Sequence, residues 1–165
     1  GRNRGSIRAC CAGGSVTGQI LPDPNGVTQW CMGTQGGCAL ELALSDASGE
    51  LRLTNHCDRD CGSCQPTDCI PLYCQGPELL GPEGMTLNWD GVHFTSSTCG
   101  ALADPCAQRN CAAPGRYTIE ICGFPNPSLN PDYPCVAASA SPETCLSVPF
   151  TYPAPEPIIV TMPVP

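Results

Sequence analysis

Fifteen cysteines in 165 residues constrain this chain more than any other feature. At about nine per cent of the sequence, cysteine reaches the level of a disulfide scaffold, so covalent cross-links are expected to fix the fold. Such cross-links persist in an oxidising compartment, which predicts a place of work outside the cytoplasm. Fifteen is also odd. At most seven internal disulfides can form, which leaves one sulfur free, bonded to another chain or holding a ligand.

The length suits one domain, or one domain with extended ends. Nineteen prolines and eighteen glycines make the chain rich in turns, and only three Phe, two Trp and four Tyr are available for a core. Disulfides offset that thin aromatic supply by restricting the unfolded chain, typically by about 2–4 kcal/mol each. Lysine is absent, and three of the seven arginines (Arg2, Arg4, Arg8) lie in the first eight residues. With a formal charge of −8, the rest of the chain would repel a polyanion, so no nucleic-acid partner is expected. The basic arm reads as a solvated terminus. No apolar run approaches the roughly 18 residues of a membrane span. No signal-peptide pattern opens the sequence, so a mature or trimmed form is expected.

Residues 1–14 read as an N-terminal arm carrying the vicinal pair Cys10 and Cys11, each expected to bond elsewhere because a ring between neighbours is strained. From Ser15 short strands follow: SVTGQIL, VTQWCM and CALELALS, the last alternating at period two. The turn Asp46–Gly49 and ELRLTN complete a hairpin, with Leu51 and Leu53 on one face. Residues 56–84 form a cysteine-rich insertion with little periodicity. MTLNW and VHFT flank Asp90–Gly91, a strong hairpin signal. Residues 98–114 read as a second cysteine-rich loop. RYTIEIC alternates Tyr117, Ile119 and Ile121, and LSVPFTY gives a further strand. A proline-rich extension, residues 153–165, holds one strand, Ile158 to Met162, which its prolines confine to an edge. The expected fold is therefore all-β: a disulfide-rich, antiparallel, immunoglobulin-like β-sandwich over residues 15–152 with long cysteine-stapled loops.

The tightest constellation is Cys57, Cys61, Cys64 and Cys69, with His56 adjacent and Cys74 beyond. Four thiolates at this spacing could hold Zn²⁺. In a cysteine-rich secreted chain the same residues read more simply as staples, and no resident metal or cofactor is expected. Gly62–Ser63 within the Cys-x-x-Cys lacks the strand-to-helix setting of a redox motif, and Gln65 stands where a haem-attachment motif needs His. Asp58 and Asp60 lack the spacing of an EF-hand loop. His56 and His93 are the only histidines, and Ser96, Ser97, Ser139 and Ser141 lie outside any nucleophile-elbow context. No catalytic set is assembled, so an enzyme is not expected. Cys31, Cys38, Cys57, Cys61, Cys64, Cys69, Cys74, Cys99, Cys106, Cys111, Cys122, Cys135 and Cys145 are candidates for structural disulfides. Cys10 and Cys11 are candidates for a free or intermolecular thiol.

Trp89 on one strand, with Tyr117 at the start of a later strand and Cys122 following it, resembles the core logic of immunoglobulin-like domains, although five residues rather than two separate that Tyr and Cys. The wider run GPEGMTLNWDGVHF, CAAPGRYTIEIC and VPFTYP resembles uncharacterised cysteine-rich bacterial secreted or lipoprotein domains of immunoglobulin-like type. It is also similar to bacterial proteinase-inhibitor-like domains. Trp89, Asp90, Gly91, Pro114, Gly115, Tyr117 and Phe150 carry the resemblance over residues 81–152. It implies the sandwich fold and an extracellular, periplasmic or cell-envelope location, and transfers no active residue. No lipid-modified first cysteine is visible, so anchoring stays open.

The leading expectation is a non-enzymatic extracellular or envelope domain that binds a protein partner or self-associates, through its N-terminal arm or the edge segment Ile158–Met162. The alternatives are a protease inhibitor presenting disulfide-braced loops and a metal-binding protein using the Cys57–Cys74 loop.

Overall fold

The computed structural model describes residues 11–26, 29–33, 42–55, 57–69, 76–128, 130–136 and 143–164. Cys10, Cys38, Cys74, His56, Ser139 and Ser141 lie outside the described residues, as do the three arm arginines. The described chain is all-β. Three strands form one sheet: β12 (Ile158–Thr161), β1 (Val16–Leu21) and β7 (Met85–Trp89), in that order. A second sheet is built around the longest strand, β10 (Gly115–Pro125). On one side of β10 lie β3 (Ala43–Asp46), which pairs with β4 (Gly49–Glu50), and β2 (Trp30–Met32), which pairs with β6 (Glu78–Leu79). On its other side runs β11 (Thr144–Tyr152). A third sheet joins β5 (Arg59–Asp60), β9 (Asp104–Cys111) and β8 (Val92–Cys99).

Alternation explains why the first two sheets meet. In β1 the residues Val16, Gly18 and Ile20 turn inward, and in β10 Tyr117, Ile119 and Ile121 do the same. These side chains join Trp30, Met32, Leu44, Trp89, Tyr152, Val160 and Met162 in one cluster drawn from both sheets. The scarce aromatics are concentrated there. Trp89 lies 5.7 Å from Tyr117 and 5.4 Å from Tyr152, ring centre to ring centre, and Phe150 stacks on Tyr117. Such pairs add about 0.5–1.5 kcal/mol each beyond the area they bury. Both buried hydroxyls donate to backbone: Tyr117 to the Ala113 carbonyl at 2.7 Å, and Tyr152 to the Gly14 carbonyl at 3.0 Å.

Six disulfides join described residues: Cys11–Cys111, Cys31–Cys135, Cys57–Cys69, Cys61–Cys106, Cys64–Cys99 and Cys122–Cys145. The expectation that Cys11 is a free or intermolecular thiol is therefore corrected. A tight turn closed by Gly14 N–H on the Cys11 carbonyl brings that cysteine to the end of β9. All twelve described cysteines are thus paired, and Cys10, Cys38 and Cys74 lie outside the described residues.

Three further expectations change. The sheets are not wholly antiparallel: β12 runs parallel to β1, and β5 parallel to β9. Asp90–Gly91 does not close a hairpin between the strands it separates, because β7 pairs with β1 while β8 pairs with β9. It makes a corner instead. Asp90 accepts the Val92 N–H, the Trp89 indole N–H donates to the Val92 carbonyl, and Gly91 takes φ +77° against the Tyr152 hydroxyl. Lastly, residues 98–114 are not simply loop. Their first half closes an eight-by-eight-residue hairpin, β8–β9, that amphipathic alternation could not announce because only Val92, Cys106 and Ala107 of its strands are buried.

Candidate functional site

The β8–β9 hairpin is the element whose construction is least explained by core formation. Of its residues only Val92, Cys106 and Ala107 are buried. Its bracing is covalent. β5 pairs alongside β9, Cys61 bonds Cys106, and Cys64 bonds Cys99 at the end of β8. Cys57–Cys69 closes the segment that supplies these links. Local polar contacts complete the brace. Asp60 accepts the N–H groups of Gly62 and Ser63, Arg59 pairs with Asp104 at 3.3 Å, and Arg52 pairs with Asp58. Between β8 and β9 the turn Gly100–Ala103 is closed by the Ala103 N–H on the Gly100 carbonyl, with Gly100 and Ala103 both at positive φ. At its apex Leu102 is 86% exposed, the most exposed large apolar side chain described.

The structure places the four candidate zinc ligands in different bonds. Cys57 and Cys69 pair with each other, while Cys61 and Cys64 reach to β9 and β8. A disulfide sulfur offers no thiolate, so these residues do not form a ligand set. The same holds for Glu120, Cys122 and Cys145, whose ligand atoms lie within 4.8 Å of one another while the two sulfurs are bonded together. Asp58 and Asp60 are engaged in the brace just described.

His93 sits half-buried on β8 opposite Asn110, its Nδ1 shielded and without a hydrogen-bond partner among the described residues. Ser96 and Ser97, farther along β8, face Ala107 and Cys106 across the ladder. Ser48 does meet a carboxylate, but as the donor: its hydroxyl and N–H both bond Asp46 in the β3–β4 turn. The Ser48 hydroxyl, followed by its backbone and that of Gly49 and the nearby His93, holds the Asp46 carboxyl below its ordinary range. That arrangement stabilises a turn, and a carboxyl so lowered is a weak base for the hydroxyl it holds. Burial raises Tyr117 and Tyr152 above the ordinary tyrosine range, with Asp46 adding to the first and Asp90 to the second. Open clefts occur among the described residues. One of about 710 Å³ runs beside Leu51, Arg52 and Asn88; another of about 760 Å³ is lined by Pro22, Trp30, Leu79 and Pro82. The Trp30 indole N–H in the second is already satisfied by the Pro163 carbonyl at 2.9 Å.

Comparison with known proteins finds no matching family model, curated protein or solved structure.

Two surfaces therefore stand out on geometry alone, the Leu102 tip and the outer edge of β12. Sequence reading placed an edge strand at Ile158–Met162 but gave Leu102 no role. The available signal was the spacing Cys99–Gly100–Ala101–Leu102–Ala103–Asp104, a short apolar turn between two polar strands; it is weak without knowing that Cys64 and Cys61 reach across to brace it.

Proposed function

We propose that the chain is a non-enzymatic extracellular or cell-envelope module that acts by binding or assembly on an immunoglobulin-like sandwich scaffold. One observation carries the reading: the β8–β9 hairpin is fastened by disulfides out of proportion to what it buries, and it holds Leu102 outward. Bracing an element that adds little to the core serves presentation, since an ordered anchor loses less entropy on binding. The six disulfides suit an oxidising environment. For the sandwich, the support is the Tyr117 hydroxyl reaching back to the carbonyl four residues upstream, a tyrosine corner, with Trp89 packed beside it. With Cys11 bonded internally, the edge strand β12 is the route to self-association that the described residues offer. Light scattering together with gels run with and without reductant tests assembly; a monomer in every condition would sink it.

The protease-inhibitor alternative draws on the same braced hairpin and exposed Leu102. Against it, the turn is folded back through the Ala103–Gly100 hydrogen bond, whereas a protease cleft reads extended backbone. Inhibition of a serine, cysteine or metalloprotease that disappears in Leu102→Gly would reverse this ranking.

A further inference from the structure

The Met162 N–H donates to the Leu21 carbonyl at 2.8 Å, and this fixes which groups of β12 face its neighbour. In a parallel ladder a residue's N–H and C=O point to the same side, and the sides alternate along the strand. Ile158, Val160 and Met162 therefore direct their backbone toward β1, while Ile159 and Thr161 direct theirs to the outer edge. Among the described residues nothing pairs with that edge. The side chains alternate in the other sense: Val160 and Met162 are buried, and Ile159 is 57% exposed.

The other long edge is treated differently. Cys122 and Cys145 are opposite each other with Cα atoms 4.1 Å apart, the close spacing of a non-hydrogen-bonded pair. Counting from Cys145, Pro149 then falls among the outward-facing residues of β11. It lacks an N–H in the middle of that edge and so blunts it against a partner strand. In β12 the prolines stand only outside the open stretch, at Pro157 and Pro163. They limit pairing to about three residues and leave those three unguarded.

We propose that the occupant of this edge is β12 of a second copy, paired antiparallel about a twofold axis through Val160. This rests on the assembly reading above and names its partner and register. The outward groups are self-complementary in that register. Ile159 meets Thr161 of the second copy and Thr161 meets its Ile159, each pair exchanging two hydrogen bonds. Ile158 then opposes Met162, Pro157 opposes Pro163, and Glu156 opposes Val164, so no like charges face one another. The contact is isologous and closes as a dimer, joining the two three-stranded sheets into one of six.

The test is sedimentation equilibrium of the whole chain over a wide concentration range, beside Ile159→Pro. That substitution removes an outward N–H and no bond to β1. The pairing predicts a wild-type dimer whose association constant falls at least about tenfold in Ile159→Pro, since two of four interfacial bonds go. Amide hydrogen exchange on the wild-type protein decides the matter even if the variant folds poorly: Ile159 and Thr161 should gain protection as concentration rises. Self-association that leaves both amides unprotected, or is equal in a folded Ile159→Pro, overturns this register while leaving assembly intact. A wild-type protein that stays monomeric with both amides exchanging freely overturns the pairing and self-assembly together.

Discussion

Tyr117, Tyr152 and Gly91 form one corner in which each residue's conformation depends on the others. Both hydroxyls end on backbone carbonyls, and Gly91 passes so close to Tyr152 that an added Cβ would collide with its hydroxyl. Gly91→Ala should therefore destabilise by about 2–3 kcal/mol, combining left-handed backbone strain with that collision. In a Tyr152→Phe background the same substitution should cost less, a coupling of more than about 0.5 kcal/mol in a denaturant double-mutant cycle. Tyr117→Phe loses one hydrogen bond, expected to cost about 0.5–1.5 kcal/mol near neutral pH. The two tyrosines also set an alkaline limit. Burial raises their pKa in the folded chain above the ordinary 10.0, so the neutral phenols stabilise the fold fully below that value and lose their effect as pH rises through the folded pKa. Stability measured by denaturant titration should fall above about pH 10, and less steeply in Tyr117→Phe.

At the scale of elements, β10 and β3 were legible because Tyr117, Ile119 and Ile121, and Leu42 and Leu44, alternate toward a core. The edge strand at Ile158 was legible because prolines bracket an apolar run. The β8–β9 hairpin was not, since disulfides replace the apolar contacts that would have left a pattern. The partner of β12 was also hidden, because parallel pairing with β1 joins opposite ends of the sequence and leaves no local turn to mark it. A covalently held hairpin should loosen locally when its bond is removed. In Cys64→Ala/Cys99→Ala, hydrogen exchange in β8 and the first half of β9 should accelerate at least about tenfold, with β1 and β10 little changed. Uniform acceleration would instead make the hairpin part of the cooperative core.

Across the described residues the disulfides close loops of very different length. Cys11–Cys111 and Cys31–Cys135 span 100 and 104 residues, whereas Cys57–Cys69 spans 12. Chain-entropy reasoning gives the long loops about 4–5 kcal/mol and the short one about 3 kcal/mol. Cys11→Ala/Cys111→Ala should accordingly lower Tm by several degrees more than Cys57→Ala/Cys69→Ala, read by calorimetry. Equal shifts would mean that strain or residual structure outweighs loop length. The long pairings could not be read from sequence, because sulfur partners so far apart are chosen by the folded sheets and not by spacing.

The bond from Cys11 to Cys111 also shapes how the molecule would carry load. Tension entering at Cys11 and leaving beyond β12 has a covalent short cut to Cys111 and a second from Cys122 to Cys145. Residues 12–110 and 123–144 cannot be drawn out while these bonds hold. β12 follows Cys145 and lies outside both closed loops, so its ladder with β1 stays in the path of that tension. Under force the protein would lengthen through residues 112–121 and those after Cys145, while thiol chemistry alone could release the two closed loops.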